Sequence, residues 1–295
     1  MQFIKPVSIS DATLISSTIA EIDYSAWASG TTYALGDKVI LTSTHRVYES
    51  LQAANTNRNP TEAASTWWLD IGPTNRWAMF DDVVSTQTTA NASMTVSIAP
   101  GMANGLAIIN MSGVNSIDVT MTVDATVVYS RSIDLISAVS DWYGYFFDSI
   151  IDRTDYVITD LPLYASGVIE VVFSGASTMA IGVLAAGVVS DLGLAKYGAK
   201  IGITDYSKKD TDDFGNTIIV RRAFSKRFTV DLELSSADVD AIASKLSDAR
   251  SIPCVWIGAN NLYQSLIVYG FYRDFSVDIA YPAISYCSLD IEGLI

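Results

Sequence analysis

Ile117–Asp–Val119–Thr–Met121–Thr–Val123 alternates apolar and polar residues without a break; Asp124–Ala125 then turns, and Thr126–Val–Val–Tyr129–Ser130 runs back. Strict alternation puts every second side chain on one face, the period of a half-buried strand rather than a helix. Two such runs across a two-residue turn read as a β-hairpin. The neighbouring sequence repeats the pattern. Ser93–Met94–Thr–Val96–Ser–Ile98 alternates, Leu106–Ala–Ile108–Ile109 is a buried run, and Tyr143–Phe147, Tyr156–Leu161 and Val168–Phe173 follow. Short strands punctuated by Gly, Asp and Asn predict a sandwich or jelly roll over residues 74–190.

The composition agrees. Of 295 residues, 49% are hydrophobic and 17% charged, enough to bury real cores and too apolar for disorder. The net charge is −14, and it is unevenly spread: residues 81–195 carry 2 basic and 12 acidic groups, whereas residues 196–295 carry 11 and 13. An acidic middle argues against nucleic-acid binding and predicts a soluble, self-repelling surface. Two cysteines, Cys254 and Cys287, exclude a disulfide framework or a Cys-rich zinc site, and both are expected as free thiols. A single histidine, His45, excludes paired-His metal motifs. The start, Met1–Gln–Phe–Ile–Lys5–Pro6, lacks a basic region followed by an apolar run, and no run reaches the ~18 apolar residues of a membrane helix. The expectation is synthesis in the cytosol, with no signal and no membrane insertion.

Beyond about Leu192 the texture changes. In Phe224–Leu234, Phe224, Phe228, Val230, Leu232 and Leu234 face one side and Ser225, Arg227, Thr229, Asp231 and Glu233 the other. Ser235 or Ser236 then caps a helix whose apolar stripe is Val239, Ile242, Ala243 and Leu246. Ile252–Ile257, Leu266–Phe271, Phe275–Ile279 and Tyr286–Ile291 complete a small sheet. Residues 191–295 thus read as an α+β unit with one clear helix, and residues 1–21 as a lead-in segment.

Between them lies an aromatic unit, residues 22–73. It holds three of the six Trp and three Tyr: Tyr24, Trp27, Tyr33, Gly36–Asp37, Tyr48, Pro60 and Trp67–Trp68. This order resembles the chitinase-type carbohydrate-binding module over about one sixth of the chain. The resemblance implies a three-stranded β unit in which Gly36–Asp37 makes a tight turn. It implies that Trp27, Tyr33, Tyr48, Trp67 and Trp68 either form a miniature core or stack on sugar rings, each stack contributing about 1 kcal/mol. The Cys-containing form of the strand after Tyr48 is absent here. Trp27 and Tyr33 read as scaffold. Adjacent side chains on a strand point opposite ways, so a thin unit leaves either Trp67 or Trp68 for sugar or for a packing partner.

Asn75–Arg–Trp77–Ala–Met–Phe–Asp81 follows this unit. Together with Ser225–Lys–Arg–Phe228, Pro253–Cys–Val–Trp256 and the closing Ser288–Leu–Asp290–Ile–Glu–Gly–Leu294, the arrangement resembles tail-tip or baseplate proteins of siphophages and prophages. The resemblance implies a virion structural protein assembled in the host cytoplasm. Such a protein forms a homo-oligomeric ring beside other tail proteins and displays the module to host-surface glycans, with no cofactor and no catalysis.

Other motifs are weighed against this frame. Asp141–Trp–Tyr143–Gly–Tyr145–Phe–Phe147 reads as a core strand with an interdomain contact, or as a second ligand site of the galactose-binding jelly-roll type. Asp210–Thr–Asp212–Asp213–Phe–Gly215–Asn216 has the look of a calcium loop, but its twelfth position is Arg221, a cation, so a hairpin turn is expected. Arg221, Arg222, Lys226 and Arg227 form the basic cluster. It serves either as a subunit interface against an acidic neighbour or as a solvated edge strand. Lys226 falls on the apolar face and either pairs with an acid or lies near the strand's end. No Gly-x-Ser-x-Gly, Cys/His pair or phosphate loop occurs. A glycosidase needs only two carboxylates, so a carbohydrate-active enzyme with an accessory module is the rival reading.

Overall fold

The computed structural model describes residues 1–62, 65–136, 153–211, 215–259 and 262–295. The fold is mainly β, with one α-helix among the described residues. The chain opens with β1 (Gln2–Pro6) and β2 (Leu14–Ser17), then enters the aromatic unit: β3 (Thr32–Tyr33), β4 (Lys38–Leu41), β5 (Arg46–Ser50), β6 (Asn55–Thr56) and β7 (Trp68–Pro73). The strands β4, β5 and β7 form an antiparallel sheet, and β3 pairs with β6. Gly36, at φ 85°, makes the turn before β4, and the Asp37 carboxylate accepts the Ala34 N–H at 2.7 Å.

The middle of the chain supplies β8 (Thr88–Ile98), β9 (Gly105–Ser112), β10 (Ser116–Val123), β11 (Thr126–Asp134), β12 (Tyr156–Ile158) and β13 (Val168–Asp191). The β10–β11 hairpin closes through Asp124 and Ala125, both at positive φ, as the right-handed twist of a two-residue hairpin requires. Ile117, Val119 and Met121 are fully buried, as the alternation predicts. The long strand β13 pairs with β10 and β8 in its first half and with β9 and β1 further on, with a register shift between Ser174 and Thr178. Both halves line one core: Ile169, Val171 and Phe173 meet Met179, Ile181 and Leu184 there. Residues 141–147 lie outside the described residues.

The last part comprises β14 (Leu194–Ala195), β15 (Lys200–Asp205), β16 (Lys208–Thr211), β17 (Thr217–Val220), β18 (Phe224–Ser235), α1 (Val239–Asp248), β19 (Cys254–Ile257), β20 (Ile267–Asp278) and β21 (Ile284–Gly293). Ser235 Oγ accepts the Ala237 N–H at 3.4 Å, which starts the turn leading into α1, and Ile242 and Leu246 bury the helix against the sheet.

These parts share one sheet of 14 strands, whose main path runs β11-β10-β13-β1-β19-β20-β21-β18-β14. Residues 2–6, read from sequence as part of a lead-in, are therefore an interior strand, and hydrogen bonding continues across the boundary drawn at 190/191. The reason lies in two adjacent apolar residues. Phe3 joins the C-terminal core and stacks on Trp256 at 5.1 Å, while Ile4 points the other way into a second core with Val183, Val255 and Tyr269. Two adjacent buried residues, one on each face and followed by the exposed Lys5, show no alternation for a sequence pattern to reveal.

Candidate functional site

The aromatic unit has its own miniature core of Tyr33, Val39, Tyr48 and Trp68, with Trp27, Leu41 and Trp67 packed at its margin. The pairing of β7 on β5, Trp68 opposite Ser50, sends the Trp68 side chain inward. It is 5% exposed, its indole N–H donates to the Arg58 carbonyl at 2.9 Å, and it meets Tyr33 edge-on at 5.2 Å. The Tyr33 hydroxyl accepts the Ala28 N–H at 2.8 Å, and the Tyr48 hydroxyl lies 3.4 Å from Thr44 Oγ1. Each buried polar tip thus has a partner.

Trp67 is placed differently. It is half-buried, its carbonyl accepts the Leu51 N–H at 2.8 Å, and the Arg58 guanidinium stands 5.1 Å from its ring centroid. Trp27 is also half-buried, held by its N–H on the Ile40 carbonyl. The five aromatics therefore divide: Tyr33, Tyr48 and Trp68 are core, and Trp27 and Trp67 keep partial access to solvent. The exposed Tyr24, with the Lys38 ammonium 5.8 Å from its centroid, is a third accessible ring that sequence reading did not single out.

The unit is tied to the sheet through His45. This residue sits at φ 54° in the β4–β5 turn, and its ring stacks on Trp77 at 4.1 Å. Its Nδ1 lies 3.1 Å from Glu21 and its Nε2 3.1 Å from Asp11. Trp77 itself belongs to the sandwich core. Thr74 and Asn75 add bonds to Glu21 and Asp23 at 3.0 and 2.9 Å, so the two chain crossings at this junction are held together.

The basic cluster is not one strand face. β17 ends at Val220 and β18 begins at Phe224, so Arg221 and Arg222 lie between strands and share no strand face with Lys226 or Arg227. Both arginines are exposed at the root of the β16–β17 hairpin. Lys226 instead bonds to Asp155, whose side chain is 1% exposed and also accepts the Asn110 N–H at 2.9 Å and the Thr154 hydroxyl at 3.1 Å. A buried carboxylate needs this full set of donors, which explains a lysine on an apolar face. Arg227 is exposed and lies along Gly202.

Among the described residues the β16–β17 hairpin pairs with no further strand, and every residue of both strands is exposed. Ile218, Ile219 and Val220 are 53%, 62% and 50% exposed. Ile201 and Ile203 on β15 and Phe224 on β18 are likewise exposed. Of the would-be calcium loop, Asp210 and Thr211 belong to β16 and Asp210 pairs with Lys208 at 2.6 Å, while Asp212 and Asp213 lie outside the described residues. No group of three potential metal ligands occurs among the described residues, and no described helix is long and apolar enough to cross a membrane.

Compared with known proteins, the chain matches no family model and no curated protein.

Proposed function

We propose that this chain is a structural subunit of a bacteriophage tail tip or baseplate, which self-associates into a ring and presents its aromatic unit to host-surface glycans. The observation that carries the reading is the β16–β17 hairpin. An isolated two-stranded ribbon is marginal in water, and one with Ile218, Ile219 and Val220 in solvent gains stability from a partner that covers them. Its root bears Lys208, Lys209, Arg221 and Arg222, whereas residues 81–195 carry 12 acids against 2 bases. A second copy therefore offers charge of the right sign. Head-to-tail contact of this kind gives a ring when its rotation closes and a filament when it does not, and a ring multiplies a weak sugar contact at Trp67 or Trp27 through effective concentration.

Light scattering on the purified chain tests this directly. Replacing residues 208–220 by a short turn leaves the melting temperature unchanged and converts the ring to monomer. A full-length chain that is monomeric and cleaves polysaccharide overturns the reading in favour of a carbohydrate-active enzyme.

A further inference from the structure

The acidic stretch 81–195 contains two cations, Arg131 and Arg153, and the fold brings both to one ring. Their guanidinium carbons stand 6.0 and 5.9 Å from the centroid of Tyr156. Beside them lies a cleft of about 500 Å³ between the β11 end and β12, and Gln264 reaches it from the C-terminal part. Charges that served only to dilute an acidic surface would be dispersed over it; here both serve one cleft.

Arg131 is aimed by its neighbours. One Nη donates to the Tyr156 hydroxyl at 3.1 Å, and the other donates to Asp160 at 3.2 Å. The Tyr129 hydroxyl donates to the same Asp160 oxygen at 3.2 Å. Asp160 is a rim group, its side chain 61% exposed, and an ion pair so placed contributes little in water. Gln264 Oε1 accepts the Thr154 N–H at 3.0 Å, which holds this side chain at the cleft wall. Asp134, which also lines the cleft, is turned to the Ile136 N–H at 3.0 Å.

We propose that this cleft binds a small oxyanion, the carboxylate of an acidic sugar or a phosphate, with Asp160 as the internal placeholder that the ligand displaces from Arg131. Two guanidinium groups supply paired donors in a fixed plane, the geometry that carboxylate and phosphate share. The proposal stands apart from the ring and from the aromatic unit, and either could fail without the other.

Calorimetric titration of the full chain at low ionic strength, with galacturonate and separately with inorganic phosphate, decides it. We expect at least one to bind, Arg153→Gln and Arg131→Gln each to weaken it tenfold or more, and Asp160→Asn to tighten it several-fold. Asp160 is exposed, so its variant keeps the wild-type melting temperature. Binding of galacturonate alone identifies a carboxylate site, and binding of phosphate alone a phosphate site. If neither binds, or if binding is unchanged in Arg153→Gln and Asp160→Asn, the proposal is wrong.

Discussion

Trp67 and Trp68 are neighbours in sequence with opposite duties. Trp68 fills the small core and closes it with a hydrogen bond, whereas Trp67 lies at the margin under Arg58. Trp68→Ala therefore removes a large side chain from a core of four residues and costs about 3–5 kcal/mol, enough to unfold so small a unit. Trp67→Ala costs about 1 kcal/mol or less, the worth of an exposed cation–π contact. Circular dichroism near 230 nm and a melting curve separate the two; under the proposed function, Trp67→Ala lowers glycan adsorption while the unit stays folded, whereas Trp68→Ala loses the fold and adsorption together. The need to split this pair is legible in the sequence, from the strand period. Which one turns inward is not, because it depends on the register of β7 against β5 and on a carbonyl ten residues upstream. The two cysteines make a second case. Burial pushes both thiols up to about 11, so they stay neutral in the fold. An unfolded cysteine ionises near pH 8.5. The stability gained from keeping them neutral is thus complete below that pH and lost as pH rises towards about 11. Urea midpoints should fall over this window, and less steeply in Cys254→Ala. A thiol reagent at pH 8 should label neither residue until the protein unfolds.

At the scale of elements, β1 and β13 depend on close backbone approach. A Cβ on Gly187 would sit 2.0 Å from the Lys5 carbonyl oxygen, where Pro6 pairs with Gly187. Gly187→Ala must push β1 off β13, and because β1 also carries β19 the damage reaches both cores. We expect a loss of at least about 3 kcal/mol by denaturant melting, well beyond an ordinary surface change. The elements with a clear period were readable in advance. The β10–β11 hairpin announces itself by alternation and by its turn, and α1 by its stripe and by Ser235, which caps the short 3-10 turn leading into it. β1 was not readable, since both its faces are covered. The exposure of β17 was not readable, because Thr217–Val220 has the composition of a buried strand, yet all four residues are exposed. The pairing of Lys226 with Asp155 spans 71 residues, and sequence shows only that Lys226 either meets an acid or lies near the strand's end.

For the whole molecule the decisive quantity is charge arrangement. The net charge is −14, and Lys208, Lys209, Arg221 and Arg222 gather at the β16–β17 arm; under the proposed function this arrangement repels copies in general and draws the arm of one to the acidic stretch of another. Self-association through the arm should therefore weaken as sodium chloride rises from about 50 to 500 mM, where the screening length falls from above 10 Å to a few ångströms. Sedimentation velocity across that series checks it; an assembly that tightens with salt would mean that apolar contact alone holds it. The sheet has one more consequence, and it concerns time. Phe3 is paired with Trp256, so the ribosome makes the central strand about 250 residues before one of its two neighbours exists. At roughly 5–20 residues per second the wait is on the order of ten seconds or more. Throughout it Phe3 and Ile4 have no native seat beside β19, so a strand made long before its neighbour is among the last to settle.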